Sequence, residues 1–116
     1  MAQTAINVLL PKLAHPGADG AIASKTGDRA QAAAYHLANR DLQTVTWSVS
    51  STFAGKITVQ ASLATDPGNS DWFPVYAINT AVAKNGYYNL AGNYVWIRAV
   101  VSDWTRGALQ LVTLTY

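Results

Sequence analysis

A chain of 116 residues builds one domain around a single core, and the absence of cysteine removes disulfides, thiolate nucleophiles and cysteine-based zinc sites together. Only 12% of the residues are charged and every acid is Asp, so the surface approaches the composition of an interface. The net charge of +2, with Arg29, Arg40, Arg98 and Arg106 dispersed, provides no basic track for nucleic acid.

Residues 1–27 read as an extended N-terminal arm. Pro11, Pro16, Gly17, Gly20 and Gly27 break any helix there. Ile6, Val8 and Leu10 alternate with Asn7 and Leu9, as suits an edge strand lying along its own sandwich or reaching a neighbouring subunit. The apolar stretch 5–10 is too short to span a membrane and lacks the basic flank of a secretory signal, so a soluble chain with its N-terminus retained is expected.

Residues 28–116 read as a single β-sandwich domain. Residues 28–38 have good helix propensity behind Asp28, yet their alternating Ala, Tyr and Leu also fit a strand; consistency with the rest of the chain favours the strand, and the helix stays open. Residues 42–50 alternate Val45, Trp47 and Val49 with Thr44, Thr46 and Ser48, a half-buried strand with Trp47 in the core. Residues 56–64 place Ile57, Val59, Ala61 and Leu63 inward and Thr58, Gln60 and Ser62 outward. Residues 65–71 form a loop, after which Trp72-Phe73-Pro74-Val75-Tyr76 re-enters a strand that Pro74 assigns to an edge. Residues 77–86 form a connection that turns at Lys84-Asn85-Gly86. Two runs around Gly92-Asn93 predict a hairpin, and a loop over 103–107 leads into a last strand that anchors the chain end in a sheet. Seven or eight strands about ten residues apart, with Thr, Ser, Gln and Asn on their open faces, mean an all-β fold: an antiparallel sandwich or jelly roll.

No constellation points to chemistry. Asp66 and Asp71 sit in a turn context, where Asp caps the backbone, rather than in one that raises a carboxyl pKa. Asp66, Asn69 and Asp71 offer oxygens at calcium-like spacing, but no Glu closes a twelve-residue loop. His15 and His36 have no partner pattern, and no Ser occupies a nucleophile elbow. Neither a catalytic centre nor a cofactor nor a metal is expected. The aromatic residues remain as candidates for contact with a partner or a stacked sugar. Trp104, in the expected loop beside Arg106, is the ring placed in solvent, and it is the candidate interface anchor.

Several segments together resemble a family: Ile6-Asn7-Val8-Leu9-Leu10-Pro11-Lys12, Gly27-Asp28-Arg29-Ala30-Gln31-Ala32-Ala33-Ala34-Tyr35, Leu42-Gln43-Thr44-Val45, the run from Ile57 to Pro67, and Asp71-Trp72-Phe73-Pro74-Val75. Over most of its length the chain resembles small virion structural proteins of tailed bacteriophages, especially those infecting cyanobacteria. The resemblance implies a non-enzymatic component of the virion, assembled in the host cytoplasm. It would be a capsid cement or decoration protein, or a small tail or baseplate piece. It further implies a homo-oligomer, preferably a trimer, whose partner is the major capsid protein or another virion protein, with neither nucleic acid nor membrane involved. On this view Ile6, Val8, Leu9 and Leu10 of the arm, with Trp72, Tyr87, Tyr88, Trp104 and Arg106, form the interface. The alternatives are an adsorption component of the tail or baseplate and a carbohydrate-binding module, for which a glycan would stack on Trp72, Tyr87, Tyr88 or Trp104.

Overall fold

The computed structural model describes residues 6–16, 21–33, 42–79 and 85–116, and its regular structure is almost entirely extended. Ten strands follow in chain order: β1 (Ile6–Leu10), β2 (Leu13–Ala14), β3 (Ala23–Thr26), β4 (Ala30–Gln31), β5 (Leu42–Val49), β6 (Ala54–Ser62), β7 (Phe73–Asn79), β8 (Asn85–Ala91), β9 (Trp96–Arg106) and β10 (Ala108–Thr115). A single 3-10 turn, Asn69–Asp71, precedes β7. The clean alternations read from the sequence become β5 and β6, in which every second side chain is buried.

The strands form two antiparallel sheets packed face to face. One has the order β1-β10-β5-β8 with β2 also on β10, and the other β3-β9-β6-β7 with β4 also on β9. Every pairing is antiparallel, and the outermost strands of the chain pair first: β1 with β10, β3 with β9, β5 with β8, and β6 with β7. A ribbon folded on itself and then rolled across two sheets gives this order, which is that of a jelly roll. Among the described strands, β6 and β7 are the only consecutive ones that pair with each other; β5, β7, β8 and β9 each reach their successor or predecessor by crossing between sheets.

This crossing corrects the expected hairpin at Gly92-Asn93. After β8, the backbone leaves its sheet with Gly92 at φ 148 and Tyr94 packed over it. The second sheet then captures it: Val95 N donates to Ser62 O at 3.0 Å, and Ala32 N donates to Val95 O at 2.9 Å. The expected loop over 103–107 is likewise absent, because β9 continues to Arg106 and turns only at Gly107, with φ 82. Leu63 is exposed just past the end of β6, and Ser62 is buried in its place. Of the ambiguous 28–38 segment, Ala30–Gln31 pairs with β9 and Ala32 and Ala33 are buried; residues 34–38 lie outside the described residues.

The core lies between the sheets. Val45, Trp47, Val112 and Leu114 face Ile57, Val59, Ile97, Ala99 and Val101. Buried Gln43 is satisfied on both sides, accepting from Ala33 N at 2.8 Å and donating to Leu90 O at 2.9 Å, so it costs little there. The rings of Tyr76 on β7 and Tyr88 on β8 stack at 3.8 Å and close one side of the sandwich.

Candidate functional site

The segment read as an arm is docked on its own domain: β1 and β2 extend one sheet through β10, and β3 extends the other through β9. In β1 the pairing shifts between Val8 and Leu10, so Val8 lies opposite Thr113 and Leu10 opposite the inward-facing Val112. This bulge moves Leu10 from the outer face to the inner one and leaves Leu9 as the extra residue. Both leucines are fully buried, which corrects their assignment to an intermolecular surface. Val8 stays exposed, and Ile6 pairs with Thr115.

Trp104 requires the same correction. Relative to β3, β9 carries one extra residue between Val101 and Trp104, which brings Trp104 into the inward phase of Val101. Asp103, at φ 51, is the residue that bends; Asp tolerates this region better than most, and it imitated a turn in the sequence. The Trp104 side chain is wholly buried. Its ring meets Phe53 at 5.9 Å and His15 edge-on at 5.3 Å, and His15 Nε2 lies 2.8 Å from the Trp104 carbonyl and 2.9 Å from that of Ala21. Arg106 is exposed and borders a hollow with Ser51, Thr52 and Thr105.

The other expected rings are separated. Trp72 lies outside the second sheet with the Arg98 guanidinium 4.2 Å above its centroid, while Arg98 Nε donates to Gln60 Oε1 at 2.8 Å. Burial lowers the Arg98 pKa from its ordinary value, although the group stays cationic. Tyr88 points inward against Tyr76, whereas Tyr87 projects outward from the first sheet. The carboxylates do structural work: Asp71 Oδ2 accepts from Gly68 N at 2.8 Å, and Asp66 lies 3.7 Å from Arg29 in an open ion pair. Among the described residues no three His, Asp or Glu side chains converge as a metal site would require.

A second candidate is the outer face of the β1-β10-β5-β8 sheet. Those four strands contain no Asp, Glu, Lys, Arg or His, whereas the opposite sheet carries Lys25, Lys56, Arg98, Asp103 and Arg106 in its strands. Cross-strand hydrogen bonds tie the polar groups of the uncharged face together. Thr44 Oγ1 donates to Asn89 Oδ1 at 2.8 Å and Ser48 Oγ to Asn85 Oδ1 at 2.6 Å, and the hydroxyls of Thr46 and Thr113 bond to each other. Apolar groups stand between them: Tyr87 is 68% exposed, Val8 and Leu42 50% each, and Leu111 40%.

Comparison with family models, with curated proteins and with solved structures gives no match. The chemistry of the face therefore has to be read from the molecule itself. Its polar side chains are already partly satisfied by one another, so covering them costs less than burying free hydroxyls, and the apolar groups between them gain from leaving water. Of the side chains exposed on this face, the sequence had singled out Val8 and Tyr87 but not Leu42 and Leu111. The absence of charge from four separate segments was visible, but only the strand order reveals that they share one sheet.

Proposed function

We propose that this chain is a non-catalytic virion structural protein of the capsid cement or decoration kind. It bridges and stabilises shell subunits by laying the outer face of its β1-β10-β5-β8 sheet against them. The observation that carries the reading is that face: four strands without a charged side chain, half-open apolar groups, and polar groups bonded to one another. A surface exposed to water for its whole life ordinarily carries both charge signs. Jelly rolls recur in capsid and lectin domains, which agrees with the family resemblance in the sequence. The partner on this reading is the major capsid protein or another virion protein, and the place of action is the assembled particle. Avidity from many copies makes a modest contact per copy sufficient.

The test is co-sedimentation of the purified chain with shells of its virus. Val8→Lys and Leu111→Lys change exposed side chains on the face, and each should weaken binding at least about tenfold by stranding a charge in the contact, with thermal melting unchanged. Binding that survives both substitutions would overturn the role of this face.

A carbohydrate-binding or adsorption role is the second reading, and the open ring of Tyr87 favours it. The other expected rings support it less, because Arg98 covers one face of Trp72, Tyr76 covers Tyr88, and Trp104 is interior. Glycan-array binding lost on Tyr87→Ala would select this reading over the first.

A further inference from the structure

The four edges of the sandwich differ in how they treat an approaching strand. β1 carries a register shift between Val8 and Leu10, and Pro11 follows it. β3 shifts register between Ala23 and Lys25 and presents the exposed Lys25. β7 contains Pro74 and shifts register between its pairings with Val59 and Gln60. Bulges, prolines and lysines are the devices by which natural sheets prevent edge-to-edge growth. Within its own length β8 has none of them, Lys84 lying before its first residue. Asn85–Ala91 pairs with β5 through seven successive residues without a shift, and it contains neither proline nor charge. Among the described residues no strand lies on its outer side.

We infer that the β8 edge is a strand-addition site and that its occupant is β8 of a second copy, running antiparallel about a two-fold axis. A strand paired with itself across such an axis sets any charge close to its own copy, and an uncharged strand avoids that repulsion. With the axis at Tyr88, Tyr87 falls opposite Asn89 of the second copy, Gly86 opposite Leu90, and Asn85 opposite Ala91. Outward residues then meet outward residues and inward ones meet inward, so the side-chain phase of the sheet is kept. The product is one continuous ten-stranded sheet, the five strands β1, β2, β10, β5 and β8 joined to their copies, with the uncharged face running across both. Seven opposed residues make about six to eight backbone hydrogen bonds. A three-fold ring built by strand addition would instead need β8 to pair with a different edge, and the other three are blunted. The edge therefore selects a two-fold pair over the trimer implied by the family resemblance.

This pairing uses the edge, not the face proposed for particle binding, so either can fail alone. The experiment combines sedimentation equilibrium with hydrogen exchange on the full chain at low and high concentration. The expected result is a dimer whose β8 amides exchange at least about tenfold more slowly than in the monomer, while those of β1 do not change. Tyr87→Lys alters an exposed side chain and should weaken dimerisation at least about tenfold, while Tyr87→Phe keeps it. A monomer at millimolar concentration would overturn the inference. So would a dimer with unprotected β8 amides, which would show that the copies meet elsewhere.

Discussion

The indole N–H of Trp104 reaches the carbonyls of Arg106 and Gly107 at 3.1 and 3.2 Å, so this ring is satisfied at its polar end as well as packed along its body. Truncation would leave a large cavity beneath the β9–β10 turn and strand both carbonyls. Trp104→Ala should therefore cost about 3–5 kcal/mol in urea unfolding, against less than about 0.5 kcal/mol for a ring in solvent. A small effect would return Trp104 to the surface, where its neighbours in sequence suggested it belonged. The sequence misled for a definable reason. Period-2 reading assumes an unbroken pleat, and single extra residues at Leu9 and near Asp103 reverse the phase for the side chains beyond them. Trp47, on the shift-free pairing of β5 with β8, was placed in the core correctly by the same reading. Residue-level legibility thus ended at the bulges, and three members of the expected interface, Leu9, Leu10 and Trp104, lie next to them.

At the scale of elements, alternation revealed the strands but not their partners. β5 and β6 were legible because each carries a full pattern of its own, whereas the pairing of β8 with β5, rather than with β9, depends on the second sheet capturing the backbone at Val95. Tyr116, just beyond β10, shows how the two sheets are held at one side. Its hydroxyl donates to the carbonyl of Gln31 in β4, at 3.0 Å, linking a strand of one sheet to a strand of the other. Burial raises the phenol pKa above its ordinary value of 10.0, so the neutral donor form is the one the fold keeps. The sign of the linkage follows. The contribution of Tyr116 to stability is complete below the unfolded pKa and is lost as pH rises through the folded one. Tyr116→Phe should cost about 1 kcal/mol near neutral pH, the net worth of one such hydrogen bond. The gap between the urea midpoints of wild type and variant should shrink as pH is raised above 10. A gap that holds constant into alkali would mean the hydroxyl does not titrate with unfolding.

Among the described strands, charge is separated by sheet, a property that belongs to no single segment. Because successive strands cross between the sheets, the uncharged stretches 6–10, 42–49, 85–91 and 108–115 are scattered through the sequence and converge only in the strand order. Composition registered the low charge content, but not that it is concentrated on one side. The segregation makes a prediction about association of either kind proposed above. Contacts between exposed charges weaken as salt shortens the Debye length, from about 14 Å at about 0.05 M to about 4 Å at about 0.5 M. An interface formed by the β1-β10-β5-β8 sheet holds no ionised side chain to screen, so its dissociation constant should change less than about threefold across that range. Sulfate, which strengthens apolar burial by exclusion from protein surface, should tighten the same contact. Contact through the opposite sheet, where Lys25, Lys56 and Arg98 lie, would instead weaken about tenfold or more against an acidic partner. A salt titration of particle binding, followed by sedimentation of the free chain in the same buffers, thus distinguishes the two sides of the sandwich without mutating either.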